Sequence, residues 1–191
     1  MSLGPARASV QSSRSANTEK DGSIRFAIDY RQVNKVVVPD AYPIPHTTEL
    51  IAALHSARVF STLDLSKGYW QIPLDESAKR ITAFAVCEGL FEFNVLPFGL
   101  CTAPAIFQRM MNECLRGLPF ARVYIDDIVI FSASHAEHRV HLEKVLRRLH
   151  ERNLVLNFDK CSWFSEQIKF LGTTVSPDGT SPNSDKIEAI L

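Results

Sequence analysis

Residues 120–131 read Phe-Ala-Arg-Val-Tyr-Ile-Asp-Asp-Ile-Val-Ile-Phe, an apolar, β-branched stretch with two adjacent aspartates, Asp126 and Asp127, at its centre. Two adjacent charges inside an apolar strand are costly to bury, and neighbours in a continuous strand point to opposite faces of the sheet. Both difficulties disappear if the aspartates form the tip of a β-hairpin, because Asp tolerates the backbone angles of tight turns. The stretch therefore predicts a hairpin whose strands hold two carboxylates on a rigid support.

A third carboxylate, Asp64, ends the strand expected over residues 59–65, and Gly68 breaks the apolar pattern just after it. Carboxylates at strand ends are the hard oxygen ligands that Mg²⁺ prefers. Two such ions could clamp the attacking and leaving oxygens of a phosphoryl displacement. The residues alone leave two alternatives open, which are a solvated Asp-Asp turn and an Asp64 that merely caps a turn.

The remaining apolar patterns predict a mixture of helices and short strands. Helices are expected near residues 47–55, from Pro104 onward and within 182–191. A further helix is expected to start at the S-x-x-E capping box of Ser134 and Glu137 and to stop at Asn153. Short strands are expected at 24–28, 81–86, 90–95, 154–158 and 168–175, with a hairpin turn at 87–89. This mixed order favours an α+β fold over a doubly wound parallel sheet.

Composition limits the class of protein. Apolar residues make up 46% of the 191-residue chain, which is not a disordered composition. No apolar run approaches the roughly 20 residues that span a bilayer, and residues 1–18 lack the apolar centre of a signal peptide. We therefore expect an intracellular protein with no membrane partner. The formal net charge of zero counts mildly against a nucleic-acid binder.

Three histidines lie three residues apart, at His135, His138 and His141. This spacing keeps them near one helical face, so a zinc site is conceivable, but a solvated helix face is the preferred interpretation. No Gly-rich phosphate loop or G-x-S-x-G elbow is present, although a Ser-His-Asp triad stays open.

Five blocks, in order, resemble the reverse transcriptase of long-terminal-repeat retrotransposons of the Ty3/gypsy type. The resemblance covers about residues 19–191. The blocks are Lys20-Asp21-Gly22-Ser23-Ile24-Arg25-Phe26 with Asp29-Tyr30-Arg31 and Asn34; Phe60-Ser61-Thr62-Leu63-Asp64-Leu65 with Gly68-Tyr69 and Gln71; Leu96-Pro97-Phe98-Gly99-Leu100 with Ala103-Pro104 and Phe107-Gln108; Tyr124-Ile125-Asp126-Asp127; and Phe170-Leu171-Gly172.

The resemblance implies a right-hand polymerase with fingers and an antiparallel palm sheet packed with helices. It assigns residues 19–183 to fingers and palm, 184–191 to the truncated start of a thumb, and 1–18 to a disordered or unmatched leader. The implied catalytic residues are Asp64, Asp126 and Asp127. With Leu65 they would bind two Mg²⁺ ions, or Mn²⁺, and Asp127 would lie closer to the primer end.

Further roles follow from the same resemblance. Nucleotide binding is implied for Lys20, Arg25, Tyr69, Phe98 and Gly99; primer or template contact is implied for Tyr124, Gln108, Leu171 and Gly172. Arg25 and Lys20 would hold the triphosphate, since a guanidinium fork suits phosphate, and Tyr69 would collide with a ribose 2′-hydroxyl.

The implied activity is RNA- and DNA-directed DNA synthesis. Its implied partners are a primed RNA or DNA template, deoxynucleoside triphosphates and, in a parent polyprotein, thumb, RNase H and integrase segments. The implied location is the cytoplasm or nucleus, in element particles if the element is active. Two alternatives stay open, a retroelement fragment that only binds nucleic acid or protein and a regulatory domain built on a similar Asp cluster.

Overall fold

The computed structural model describes residues 6–7, 28–87 and 89–182, in which helices and mainly antiparallel strands alternate. The helices are α1 (Arg31–Asn34), α2 (Thr47–Ala52), α3 (Glu76–Ile81), α4 (Ala103–Cys114) and α5 (His135–Glu151). The strands are β1 (Ala6–Arg7), β2 (Val59–Asp64), β3 (Phe84–Val86), β4 (Gly89–Phe91), β5 (Ala121–Tyr124), β6 (Asp127–Ser132), β7 (Ser162–Ser165), β8 (Ile168–Phe170), β9 (Thr173–Ser176) and β10 (Gly179–Pro182). This mixture confirms the α+β class, and none of the described helices is long and apolar enough to cross a membrane.

The described residues divide into two compact units. The first contains residues 28–41 and 69–104 together with β1, and the second contains residues 42–68 and 105–182. In the first unit, β1, β3 and β4 form a three-stranded sheet. Its core joins Ile28, Tyr30 and Phe84, and the Tyr30 hydroxyl donates a hydrogen bond to the Thr82 carbonyl at 3.0 Å.

The second unit is built on an antiparallel sheet of strand order β5-β6-β2-β7. Strand β2 pairs with β6 in an unbroken register that runs from Val59 opposite Ser132 to Asp64 opposite Asp127. Because side chains alternate along a strand, Phe60, Thr62 and Asp64 share one face of β2, and Ser61 shares the other with Leu63.

The two faces of this sheet pack against different elements. On one face, Phe60 and Val129 pack with Leu50 of α2 and with Leu54, which lies just after that helix. Apolar residues of the β8-β9-β10 sheet complete this cluster. Helix α5 packs against β2 and β6, so the sheet is covered on both sides.

The capping-box prediction for α5 is confirmed. The Ser134 hydroxyl accepts the Glu137 N–H, and a Glu137 carboxylate oxygen accepts the Ala133 N–H at 2.9 Å. The helix ends at Glu151, and Asn153 has φ +55°, as expected of a residue that stops a helix in the left-handed conformation. The expectation of a solvated histidine face is wrong for His138, which is fully buried.

Other sequence expectations need correction. Ile81 closes helix α3, which Asp75 caps by accepting the Ala78 N–H, so the strand expected at 81–86 is reduced to β3. The strand expected at 90–95 ends at Phe91, and residues 154–158 contribute only a bridge between Leu156 and Leu65. Left-handed Leu171 and Gly172 split the run 168–175 into β8 and β9. The elements expected over 24–27 and 183–191 lie outside the described residues.

The buried histidine predicts how stability changes with pH. Burial, reinforced by His141 and His135 and opposed by Glu137, lowers the pKa of His138 from 6.5 to about 4. Between these values the unfolded chain takes up a proton that the folded chain refuses, so stability is complete above pH 6.5 and falls toward pH 4. We expect neutral His138 to contribute about 3 kcal/mol at pH 7 that is lost by pH 4.

Urea denaturation at pH 7 and pH 4 measures this effect as the difference between the wild type and His138→Gln. His150→Gln, at an exposed position of the same helix, is the matched control and should keep the wild-type pH dependence. An identical loss of stability in the wild type and His138→Gln would contradict the prediction.

Candidate active site

The aspartate-bearing segment folds into a hairpin with a two-residue turn. Strands β5 and β6 are joined by Ile125 and Asp126, and Tyr124 pairs with Asp127. The prediction of a hairpin is confirmed, but Asp127 is the first residue of β6 and lies outside the turn. Ile125 takes the left-handed conformation, with φ +57°. A β-branched residue rarely adopts this conformation, so the turn stores backbone strain beside Asp126.

Gln108 of α4 holds this strained turn from inside the protein. Its Oε1 accepts the Ile125 N–H at 2.7 Å, and its Nε2 donates to the Val123 carbonyl at 3.2 Å and to Asn112 Oδ1 at 3.0 Å. Gln108 is completely buried. The expectation that it touches primer or template is therefore corrected, since the side chain is not exposed and its hydrogen bonds go to the hairpin and to Asn112 of α4.

The three aspartates come from two sequence segments that the sheet brings side by side. Asp64 ends β2 directly opposite Asp127. A Cβ added to Gly68 would lie 3.9 Å from Asp126 Oδ2, which places that carboxylate against the chain that follows β2. A cavity of about 190 Å³ borders two of the carboxylates; its lining includes Asp64, Asp127, Lys160, Lys169 and Leu171.

The surroundings of two of these carboxylates disfavour their ionised forms. Burial raises the pKa of Asp64, with Lys160 opposing and Asp126 adding to the shift. Burial also raises the pKa of Asp127, and Asp126 and Asp64 raise it further. Asp126 thus disfavours ionisation of both Asp64 and Asp127, and Asp64 disfavours ionisation of Asp127; a nearby cation would relieve this.

These residues fit divalent cations that also bind substrate. Across the described ranges, no three His, Cys, Asp or Glu side chains stand close enough to enclose an ion by themselves. Mg²⁺ seldom needs such a cage, because it takes one or two carboxylates and completes its shell with water and substrate phosphates. The Leu65 carbonyl already accepts the Gly68 N–H at 3.3 Å, and its second lone pair is the group that a metal could use.

In the other unit, the nucleotide candidates form a small aromatic cluster. The rings of Tyr69 and Phe98 are 5.1 Å apart, and Trp70 meets Phe98 edge-on at 5.8 Å. Gly99 has φ +94°, and a Cβ there would come within 3.4 Å of the Ile28 carbonyl and the Tyr30 ring. The positive φ is the main reason for glycine here, because a side chain at this angle would be strained.

Asn34 fixes the loop that carries Gly99. Its Nδ2 donates to the Gly99 carbonyl at 2.8 Å, and its Oδ1 accepts the Cys101 N–H at 2.9 Å. Asn34 belongs to the first of the five sequence blocks, but no role was predicted for it. A hydrogen bond between residues 65 positions apart leaves no local pattern in the sequence.

The other residues predicted to contact nucleotide or primer lie in different parts of the fold or outside the described residues. Tyr124 and Leu171 are half-buried against the core between the sheet and α2, and Leu171 also lines the carboxylate cavity. Leu171 and Gly172 form the left-handed turn between β8 and β9. Lys20 and Arg25 lie outside the described residues, so their proposed phosphate contacts stay predictions.

Comparisons with known proteins agree on one family. The family model described as reverse transcriptase (RNA-dependent DNA polymerase) matches residues 17–175. The Pol polyproteins of the Drosophila melanogaster transposons 297 and gypsy are 44% and 40% identical over 169 and 168 residues. The enzymatic polyprotein of Cauliflower mosaic virus (strain NY8153) is 36% identical over 170 residues. These matches cover 87%, 87% and 88% of the chain, but only 16%, 16% and 25% of the relatives' length.

Solved structures agree with the sequence relatives. The foamy viral protease-reverse transcriptase dRH in complex with double-stranded DNA has a TM-score of 0.84 at 31% identity, covering 91% of this chain and 31% of that one. The foamy viral protease-reverse transcriptase in complex with an RNA/DNA hybrid has a TM-score of 0.80 at 31% identity, covering 87% and 23%. The chain thus spans less than a third of the length of each of these five proteins.

Proposed function

The chain belongs to the reverse transcriptase family and has the α+β fold of its fingers and palm, and from this premise we propose that it is the RNA- and DNA-directed DNA polymerase part of a longer retrotransposon polyprotein. One observation carries the proposal, the register that sets Asp64 opposite Asp127 with Asp126 in the adjoining turn. The foamy viral neighbours were solved with double-stranded DNA and with an RNA/DNA hybrid. A primed template is the corresponding partner proposed for this chain.

The proposed reaction is attack of a primer 3′-hydroxyl on the α-phosphate of a deoxynucleoside triphosphate, with pyrophosphate as the leaving group. Asp64 and Asp126 are the proposed principal metal ligands, with the Leu65 carbonyl beside them, and Asp127 lies nearer the primer end. When bound, two Mg²⁺ or Mn²⁺ ions would supply Lewis-acid stabilisation of the attacking and leaving oxygens. The rigid antiparallel pairing of β2 with β6 holds the carboxylates in place, so little reorganisation is needed during reaction.

Primer extension on a homopolymeric RNA template tests the proposal directly. We expect deoxynucleotide incorporation that requires Mg²⁺ or Mn²⁺ and stops when the metal is chelated. Template-primer binding should be measured in parallel by fluorescence anisotropy. Binding without any extension, at saturating protein and with either metal, would favour the alternative of a fragment that only binds nucleic acid.

Tyr69 is the proposed discriminator against ribonucleotides. Tyr69→Val removes the ring that would meet a 2′-hydroxyl, so the preference for deoxynucleotides should fall by about 10–100-fold, the usual worth of one steric contact. The ratio of kcat/KM for dGTP and GTP on a poly(C) template measures this. Phe91→Val, at an exposed aromatic in the same unit, should leave the ratio unchanged. An unchanged ratio in Tyr69→Val would remove Tyr69 from the nucleotide site.

A further inference from the structure

A chain of hydrogen-bonded side chains runs through the interior of the sheet-bearing unit, and the polymerase proposal does not use it. We name it the serine–histidine chain; its members are Ser61 of β2, Ser132 of β6, and His138 and His141 of α5. Ser61 Oγ lies 2.8 Å from His138 Nε2, and Ser132 Oγ lies 2.8 Å from His138 Nδ1 and 2.9 Å from His141 Nδ1. Ser61, Ser132 and His138 are buried.

The serine–histidine chain has a defined partner at each of its two ends. At the inner end, Ser61 Oγ accepts the Phe164 N–H of β7 at 3.1 Å. At the outer end, His141 Nε2 lies 3.7 Å from a Glu137 carboxylate oxygen. His141 and Glu137 both line a cavity of about 350 Å³ that solvent can reach. The serine–histidine chain therefore connects an accessible imidazole to the strand that ends in Asp64.

The Ser132 hydroxyl makes the two histidines dependent on each other. It has one proton and lies between two imidazole nitrogens, so it can donate to only one of them, and it can accept from the other when that nitrogen carries a proton. If it donates to His141, then His138 carries its proton on Nδ1 and its bare Nε2 accepts from Ser61. Every donor then has an acceptor, and neutral His141 presents Nε2–H to Glu137.

Protonating His141 reverses this order. Its Nδ1 then donates to Ser132. In the proposed switch, Ser132 keeps its own proton hydrogen-bonded by turning it to His138 Nδ1, so neutral His138 carries its proton on Nε2 and donates to Ser61. Ser61 Oγ then accepts from both His138 Nε2–H and the Phe164 N–H, and its own O–H has no acceptor within the serine–histidine chain. A buried donor without a partner costs free energy, so the reversed state braces β2 less well.

We propose that the serine–histidine chain is a proton-operated brace, in which protonation of His141 at the cavity switches the tautomer of buried His138 and releases the hydroxyl proton of Ser61 from its acceptor. The brace ties β2 to β6 through Ser132 and to β7 through the Phe164 N–H. Ser61 is three residues from Asp64 on the same strand, so the switch acts on the element that positions this carboxylate. It is a positioning device and touches no reacting group.

The surroundings of the two imidazoles agree with a buried His138 that changes tautomer and an accessible His141 that takes up the proton. On their own helix His138 faces His135, Glu137 and His141, and the ring of Phe164 from β7 meets it edge-on at 5.1 Å. His141 stacks on Phe120 at 3.7 Å, with Lys144 near the same ring at 5.9 Å, and His55 lines the cavity beside it. His138 is thus enclosed, and His141 is the member within reach of protons.

Nitrogen NMR of the histidine rings tests the proposal on the unmodified 191-residue chain. As the pH is lowered from 8 to 5, the protonated and bare nitrogens of His138 should exchange identities while His138 itself stays neutral. An unchanged His138 tautomer across that range would overturn the proposal. This readout does not depend on polymerisation, so its failure and the failure of the proposed function can be told apart.

Two variants sharpen the test. His141→Phe keeps a ring against Phe120 and removes the imidazole at the cavity, so His138 should hold one tautomer from pH 8 to pH 5. His135→Phe, at a position of the same helix whose ring stacks on Phe164 at 6.1 Å and is not a member of the serine–histidine chain, should leave the switch intact. A switch that persists in His141→Phe, or that vanishes equally in His135→Phe, would rule out the relay.

Discussion

Asp126→Asn is expected to lower kcat for primer extension by about 10³-fold, because an isosteric neutral amide cannot replace a carboxylate that binds a divalent cation at the developing charge. Asp126 is exposed in the hairpin turn, so its replacement should not unfold the protein. Removal of one of three mutually repelling carboxylates should even raise Tm slightly, since Asp126 raises the pKa of both Asp64 and Asp127. Lost activity with retained or increased stability is the pattern expected of a functional site.

Asp178→Asn is the matched control for this experiment. Asp178 is an exposed aspartate in the turn between β9 and β10, within the same unit. It should leave both the rate of extension and Tm near the wild-type values. Extension by Asp126→Asn at the wild-type rate would contradict the carboxylate mechanism, and equal losses in both variants would point to a general effect of changed charge.

The local parts of this structure could be predicted because short-range physics decides them. Adjacent aspartates in an apolar, β-branched run predicted the hairpin, and a serine followed by a glutamate three residues later predicted the start of α5. The strand that delivers Asp64 is also present. In each case the signal lies within one element, where side-chain period and capping chemistry act directly.

The parts that could not be predicted depend on partners far along the chain. The sequence predicts that aspartates occupy the turn, yet Ile125 takes the left-handed angle, because buried Gln108 captures its N–H from 17 residues away. The pairing of Asp64 with Asp127 is a matter of sheet register, which no local pattern encodes. His138 is buried because Ser61 and Ser132 satisfy both of its nitrogens, and the histidine spacing alone favoured a solvated face.

Gln108→Leu should have the second-largest effect on catalysis, although the residue touches no substrate. The variant leaves the Ile125 N–H and the Val123 carbonyl without their side-chain partner, which should cost about 2–3 kcal/mol of unfolding free energy. It also frees a strained turn to relax, and relaxation moves Asp126 away from the position set by the hairpin. Misplacement of about 1 Å can cost on the order of 10²-fold in rate. We therefore expect kcat to fall by about that factor, with the KM for template-primer nearly unchanged.

Whether Gln108→Leu changes kcat or KM distinguishes the two interpretations of this residue. A residue that binds primer or template directly would raise KM when truncated, whereas a residue that positions the turn lowers kcat and leaves uniform binding intact. Met111→Leu, a volume-conserving change at another fully buried position of α4, should cost less than about 1.5 kcal/mol and leave kcat unaltered. A raised KM with unchanged kcat in Gln108→Leu would restore the direct-contact interpretation. A fall in kcat without that rise would mean that the buried amide determines where the exposed carboxylate lies.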